Sequence, residues 1–442
     1  MAPSAKVPDH LAVLLQGRVA GELHRQSRGN SYEFVYEDHW RNDREAVPLS
    51  LSMPLAARRY TGDVVTYFLR ALLPDSEARL NAIAFEVGAE PDDVFALLAF
   101  AGEDCPGAVQ FVRPDRVEAI TGDGRHTIEW LSDDEFAQTI RDLGSGNEIG
   151  AHVLATGHFS LPGALNKVAL TFDPRRERWG LPSGRAASTH IIKPPLRGVK
   201  YHNENEYLSM ELARLAGNQA ARASILRVEG QTAIAVERFD RERHGAGIVR
   251  VHQEDLSQAL GVNPRLKYST EGAPGMADAV RLLREYATLD EVYAFVRGVA
   301  FNWIIAGTDA HPRNYSVLLR SGSAVTLAPL YDLATGLLLP TRTPVDELPF
   351  AMTVGGRSRI GDIGWSEWVE QAHVLRLNPA RVLEEVAALV GSVMQSAESL
   401  RESAAAQRID DRFVKRYTTR VVGRAKVLNA TFRQPRGRSR PG

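Results

Sequence analysis

The stretch from Phe301 to Asp332, FNWIIAGTDAHPRNYSVLLRSGSAVTLAPLYD, places the tightest constraint on what this chain can fold into. Ahead of it, Val292, Phe295, Val296, Val299 and Trp303 recur at helical spacing and form one apolar stripe, so a buried helix leads into the stretch. Gly307 is positioned to end that helix. Asp309 then emerges on a short loop, with Asn314 five residues further on. Two apolar runs, Tyr315–Leu319 and Val325–Leu330, flank the turn residues Ser321–Ser323 and predict a β-hairpin that delivers Asp332. Phosphoryl transfer needs such a set. One carboxylate orients or deprotonates the attacking hydroxyl, while an amide oxygen and a second carboxylate hold Mg2+ on the nucleotide phosphates. Asp and Asn are also ordinary turn residues; the hairpin and Asp332, in register with them, favour the catalytic reading.

With 442 residues the chain has room for two or three domains, and 44% hydrophobic with 24% charged residues supports a sizeable core. The net charge of −1 supplies no global field for nucleic acid or membrane. A single cysteine, Cys105, excludes internal disulfides and a thiolate zinc cluster. No apolar run reaches membrane-spanning length, and the opening MAPSAKVPDHLAVLLQG lacks a signal-peptide pattern. The expected location is cytoplasmic, with no membrane partner.

In chain order, Leu11–Leu15 and Val19–Leu23 predict a hairpin around Gln16-Gly17, and Tyr32–Tyr36 a further strand. The alternation in PLSLSMP, Pro48–Pro54, predicts another strand or edge. Helices are expected over Val64–Leu73, Glu77–Val87 and Asp92–Ala101, and again within Trp130–Leu143, where Ser132 and Glu135 stand at capping-box spacing. In HFSLPGALNKVALTF, two apolar strands flank a turn at Pro162-Gly163-Ala164, with Lys167 just after it. Such a turn can cover phosphates with backbone N–H groups, or it is a plain hairpin with a surface lysine.

THIIKPP is a short strand ending in Lys193, which either grips phosphates or snorkels to solvent. Asn203–Gly217 predicts a helix with Asn203 as N-cap. Ser224–Val228 and Thr232–Glu237 predict a hairpin leading into Glu237, Arg238 and Phe239, where Phe239 either stacks on adenine or belongs to the core. His252–Gly261 opens a larger helical half, continued by Met276–Ala287, Asp290–Ala306, Trp365–Val374, Pro379–Ala397 and Ser399–Asn429. The end, RQPRGRSRPG, reads as a disordered basic tail.

The motifs FSLPGALNK, THIIKP, ENEYLSMELARLAG, VERFDR, HQEDLSQALG, GTDAHPRNYS and LYDLAT, together with PLSLSMPL, FLRALLPDSEAR and CPGAVQF nearer the start, span nearly the whole chain. In them the sequence resembles the HipA-type serine/threonine kinases, the toxin halves of bacterial type II toxin–antitoxin modules. The resemblance implies an α+β, two-lobed protein-kinase-like fold with an N-terminal α+β subdomain and a mostly helical C-terminal lobe. It divides the chain into an N-terminal scaffold or antitoxin-docking subdomain (residues 1–150), a small-lobe core with the nucleotide loop (151–240), a helical catalytic lobe (241–432) and a tail (433–442). It further implies ATP and Mg2+, with Asp309 as catalytic base, Asn314 and Asp332 as metal ligands and His311 shaping the loop. Lys193 would hold phosphates and Pro162, Gly163, Ala164, Leu165, Asn166 and Lys167 would cover the nucleotide. Glu237, Arg238 and Phe239 would line the adenine, and Tyr331 would join the nucleotide site. Ser160 matches the family's autophosphorylated serine.

The implied partners are a protein substrate, such as an aminoacyl-tRNA synthetase, and a helix-turn-helix antitoxin that reaches DNA. Two departures stand out: Leu165 replaces a usual Gln, and Pro312-Arg313 replaces a small residue and Lys. They motivate an alternative, a pseudokinase-like subunit that binds a DNA-binding antitoxin and aids autorepression.

Overall fold

The computed structural model describes residues 7–26, 31–122, 127–145, 161–163, 165–245, 247–322, 324–339 and 343–432. Ser160, Ala164, the boundary drawn near residue 150 and the tail from residue 433 lie outside the described residues. Two compact units emerge, each assembled from separate stretches of chain.

The first unit comprises Met1–Asn203, Ala223–Arg265 and Ser316–Ala328. Its N-terminal sheet contains β1 (His10–Leu15), β2 (Arg18–Arg25), β3 (Tyr32–Tyr36), β4 (Arg59–Thr61) and β5 (Val109–Val112), in the order β4-β3-β2-β1-β5. Gln16 and Gly17 both take positive φ, 53° and 77°, as a tight hairpin matched to strand twist requires. Helices follow at Asp63–Ala71, Glu77–Val87 and Val94–Ala101.

PLSLSMP is not a strand. The Met53 N–H donates to the Ser50 carbonyl at 2.9 Å and folds the segment into a turn. Leu49, Leu51 and Met53 are buried, while the Ser50 and Ser52 hydroxyls both bond the Gln258 carbonyl. The alternation therefore records two environments around a loop rather than two faces of a strand.

A second sheet holds β6 (Thr127–Trp130), β7 (Val168–Asp173), β8 (Arg178–Ser183), β9 (His190–Lys193), β10 (Ala223–Val228) and β11 (Gln231–Glu237), ordered β10-β11-β9-β7-β8-β6. Helix Asp133–Ser145 packs Phe136, Ile140 and Leu143 against Val168, Leu170 and Ile192. Ser132 and Glu135 form the expected reciprocal cap: Glu135 N–H to Ser132 Oγ at 3.3 Å, and Ser132 N–H to Glu135 Oε2 at 2.8 Å. A hairpin of β12 (Arg241–His244) and β13 (Gly247–Arg250) comes next. HQED then forms β14 (His252–Asp255) rather than opening a helix; it pairs with β15 (Ser316–Leu319), which pairs with β16 (Thr326–Leu327).

The second unit comprises Glu204–Arg222, Leu266–Tyr315 and Pro329–Gly442 and is mainly helical. Its central helix, Leu289–Ile304, is capped by Thr288 and buries Val292, Phe295, Val296, Val299 and Trp303 completely. Each such side chain contributes roughly 1.5–3 kcal/mol of transfer free energy. The Trp303 ring meets Trp368 edge-on at 5.8 Å between centroids, where Trp368 belongs to helix Trp365–Val374. Helices Met276–Tyr286, Pro379–Gln395, Ala397–Ala406 and Asp411–Phe432 complete this part, with a hairpin of β17 (Pro349–Val354) and β18 (Arg357–Arg359) that the helical patterning did not signal. Asn203 lies inside helix His202–Leu215 rather than capping it. No helix of the described residues is long and apolar enough to cross a membrane.

Candidate active site

In the second unit, the central helix ends where Ala306 takes left-handed φ (+53°) and donates its N–H to the Trp303 carbonyl at 3.2 Å, and Gly307 completes that stop. Its N–H donates to the Asn302 carbonyl at 2.7 Å, and a Cβ there would stand 2.6 Å from Asn302 Oδ1. Asn302 in turn donates to the buried Tyr315 hydroxyl at 3.0 Å. The chain between these anchors is a tight loop. The Asp309 carbonyl accepts from the His311 N–H at 2.9 Å and from Asn314 Nδ2 at 2.6 Å. The Asn314 N–H closes onto the His311 carbonyl at 2.9 Å.

The loop is therefore held by the Asp309 backbone, and its carboxylate is left 71% exposed. His311 is its opposite: the side chain is buried, with Nε2 3.6 Å from Asp309 Oδ1. Burial lowers the His311 pKa while the Asp309 charge opposes that shift. Tyr331 donates to the Arg313 carbonyl at 2.8 Å. Asp332 and Asn314 are the sequence neighbours of that bonded pair. Asp332 has φ +54°, a conformation Asp tolerates better than most residues, and it is exposed. Backbone of this kind is concentrated at functional positions.

Asn314 and Asp332 fit a hard cation. Asn314 commits its amide N–H to the loop and keeps its amide oxygen, and Asp332 offers an exposed carboxylate. Among the described residues no cluster of three or more His, Cys, Asp or Glu could hold a metal alone. An oxygen pair completed by phosphates and water is the arrangement Mg2+ favours.

In the first unit, β9 ends at Lys193, which is buried. Strand pairing puts Lys193, Ile191, Ala169, Ile234 and Val236 on the sheet face opposite Ile192 and Val168. Val168 pairs with Ile192, so Lys167 and Lys193 stand at the same end of the sheet. Gly163 takes φ +111°, and a Cβ there would stand 2.5 Å from Lys167 Nζ. Asn166 Nδ2 donates to the Leu143 carbonyl at 2.9 Å. Pro162 and Leu165 are half-buried. Glu237 is exposed and shares its face with His190, away from Lys193. The Arg238 side chain is spent in a buried ionic cluster, with Nη2 2.8 Å from Asp240 Oδ2. Phe239 packs on Val251, Leu318 and Ala328. Of the three residues expected at adenine, Arg238 has its side chain committed to this cluster, while Glu237 is exposed and Phe239 half-buried.

Two further contributors emerge, Asn203, expected as an N-cap, and Arg79, not singled out in the sequence. Asn203 Nδ2 donates to the Lys193 carbonyl at 3.3 Å, and Arg79 Nη1 donates to the Lys167 carbonyl at 2.8 Å. Arg79 stands four residues before Ile83 on the buried stripe of its helix, and a charge on an apolar stripe was the available signal.

Comparison with known proteins shows the family and the fold. The HipA N-terminal domain matches residues 11–112, and the HipA-like C-terminal domain matches residues 159–399. The "Putative kinase Y4mE" of Sinorhizobium fredii is 32% identical over 432 residues, covering 96% of this chain and 99% of that protein. The serine/threonine-protein kinase toxin HipA of Shewanella oneidensis is 26% identical over 341 residues, 71% and 72% of the two chains. A solved structure of the Shewanella oneidensis HipA, HipB and operator DNA complex superposes with a TM-score of 0.78 at 22% identity, covering 95% of this chain and 97% of that one. The class is thus a mixed α+β, kinase-like fold. Within it, the chain belongs to the HipA family of serine/threonine kinases. Membership implies ATP as the phosphoryl donor.

Proposed function

We propose that this chain is an ATP- and Mg2+-dependent protein serine/threonine kinase acting as a growth-inhibiting toxin, with a component of translation such as an aminoacyl-tRNA synthetase as substrate. The observation that carries the catalytic part is the Asp309 loop, whose bonds run through the backbone and leave the carboxylate exposed. Asp309 accepts the proton of the substrate hydroxyl as the oxygen attacks. The buried His311 keeps the carboxylate oriented without neutralising it. Asn314 and Asp332 would hold Mg2+ through their side-chain oxygens, and the ion would supply positive charge to offset that of the phosphates. Lys193 and Lys167 hold phosphate oxygens, and Gly163 lets backbone N–H groups come close to them.

Ser160 is the proposed autophosphorylation site. A phosphate there adds nearly two negative charges beside a loop meant to attract ATP, which disfavours nucleotide binding. A helix-turn-helix antitoxin is the proposed partner, linking the kinase to DNA; the HipA of Shewanella oneidensis was solved with HipB and operator DNA.

The test is intact-mass and phosphopeptide mapping after incubation with Mg-ATP, alone and with a panel of tRNA synthetases, for wild type and Asp309→Asn. Phosphate on Ser160 or on a synthetase with wild type only is the expected result. ATP binding without transfer to any protein would favour the pseudokinase-like reading, which Leu165 and Pro312 motivate.

A further inference from the structure

The N-terminal module meets the glycine loop at both of its ends. At the first, the Asp75 N–H donates to the Gly163 carbonyl at 3.1 Å, and Pro74 bridges Gly163 in parallel. At the second, Arg79 donates to the Lys167 carbonyl at 2.8 Å. Both contacts come from the start of one helix, Glu77–Val87, whose N-cap Ser76 accepts from the Arg79 N–H. Arg79 is only 7% exposed and its Nε has no hydrogen-bond partner among the described residues. Burial is the cause of its depressed pKa, with no carboxylate of the described residues contributing. A guanidinium buried without an acid is costly. An Arg whose side chain bonds only a loop carbonyl among the described residues, at that cost, is unlike a packing residue, which an apolar side chain would serve as well.

We infer that Arg79 is a positioning residue for the nucleotide loop. From the N-terminal module it fixes Lys167 and, with the Asp75 N–H, holds the Gly163–Lys167 segment in the shape that receives phosphate. This rests on the proposed role of that loop in ATP binding. The unneutralised guanidinium also adds positive potential beneath the loop, which a phosphate offsets. The N-terminal module is then part of the nucleotide-binding apparatus and not a docking platform alone.

The experiment is titration of the full chain with Mg-ADP, together with amide hydrogen exchange of peptides containing Gly163–Lys167. Wild type is measured first: no saturable binding would end the nucleotide reading itself, whatever Arg79 does. Given wild-type binding, Arg79→Met, which keeps length and loses the donors, is expected to weaken Mg-ADP about tenfold, the effect of one lost charged hydrogen bond. Loop peptides exchange faster, while peptides of helix Asp133–Ser145 and the melting temperature change little. Arg79→Lys, which keeps the charge and one donor, recovers part of the affinity. Affinity within about twofold of wild type and unchanged loop exchange in Arg79→Met overturn the inference. Should Arg79→Met not fold, Asp75→Pro removes one amide donor at the other end of the loop and is read the same way: weakened binding with faster loop exchange supports the inference, and wild-type values overturn it.

Discussion

The Glu254 carboxylate accepts a hydrogen bond of 2.5 Å from Ser50, a residue 204 positions earlier in the chain. Its other oxygen accepts from the Leu51 N–H at 2.8 Å. Two residues before it, His252 Nε2 donates to the Leu49 carbonyl at 2.9 Å, while its Nδ1 accepts from the Ala108 N–H. One face of β14 thus fastens the Leu49–Leu51 turn through two buried titratable groups.

Their pH dependences have opposite signs. Burial pushes the Glu254 pKa up to about 8, against the hydrogen bonds from Ser50 and Leu51 and with a further push from neighbouring Asp255. The folded state then holds a proton that the unfolded state releases above its ordinary range, so stability falls as pH rises from about 4.5 to about 8. Burial pulls His252 down to about 4, so the unfolded state takes up the proton first and stability falls as pH drops from 6.5 to about 4. The two oppose each other on the acid side, and Glu254 acts alone above the ordinary histidine range. Glu254→Gln keeps one acceptor oxygen for the Leu51 N–H, turns the other position into a donor that the Ser50 hydroxyl can accept from, and removes the titrating group. Its stability advantage over wild type should therefore grow between pH 6.5 and 8, by up to about 1.4 kcal/mol per pH unit. Urea unfolding at several pH values checks this, and parallel curves for the two proteins would refute it.

A second buried set holds the adjoining segments. Arg238 Nη2 lies 2.8 Å from Asp240 Oδ2, and Arg241 and Arg250 each reach Asp104 Oδ1, at 2.9 and 3.0 Å. Ser188 adds a hydrogen bond to Asp104. Burial alone would raise the Asp104 pKa, but the three guanidiniums outweigh it and keep the carboxylate ionised. Asp104→Ala leaves three buried cations facing the single carboxylate of Asp240. The expected loss is about 3–5 kcal/mol, the range for breaking a buried ion pair from one side. A denaturation midpoint within experimental error of wild type would show that the cluster relaxes or hydrates instead.

Local periodicity made much of the fold legible. Helix Leu289–Ile304 declared itself because its five stripe residues are all fully buried, and the hairpin at Gln16-Gly17 because two apolar runs flank a glycine able to take the positive φ of the turn. What stayed hidden depended on distant partners. PLSLSMP alternates like a strand, yet Ser50 and Ser52 face Glu254 and Gln258, some two hundred residues away. HQED reads as a helix start, but β15 recruits it as a strand. Helix His202–Leu215 begins one residue before Asn203, whose amide goes to Lys193 instead of a cap.

At the candidate site, the loop from Asp309 to Asn314 was readable because its bonds are local. The fate of Arg238 was not, because burial of its side chain depends on Ser188 and Cys105 from separate segments as well as on nearby Asp240. A reading in order also divides a chain into consecutive blocks, whereas both units here are built from interleaved stretches.

Asp309→Asn and Asn314→Ala should separate chemistry from architecture. The Asp309 side chain makes none of the hydrogen bonds that close the loop, since its backbone carbonyl serves His311 and Asn314. Asp309→Asn is expected to leave melting temperature and ATP affinity unchanged while turnover falls about 10²–10⁴-fold, the usual span for a lost general base. Asn314→Ala removes the 2.6 Å bond to the Asp309 carbonyl as well as the proposed oxygen ligand. It should raise the Mg2+ concentration needed for activity and also lower the melting temperature. Equal effects of the two variants on stability would contradict the backbone account of the loop.

Gly163 offers the sharpest test of the glycine loop. A Cβ at this position meets Lys167 Nζ at 2.5 Å, and φ of +111° lies where L side chains are strained. Gly163→Ala must therefore displace the Lys167 ammonium, twist the backbone, or both. Lys167→Ala alone would lose the proposed phosphate contact. If the two act through one geometry, their effects on Mg-ATP affinity are not additive. Gly163→Ala should cost about tenfold in the wild-type background and much less when Lys167 is already Ala, a coupling of about 1 kcal/mol. The residual penalty in the double variant measures the backbone strain by itself. Strict additivity would mean that Gly163 serves only its own φ, and that the approach of Lys167 to it has no part in nucleotide binding.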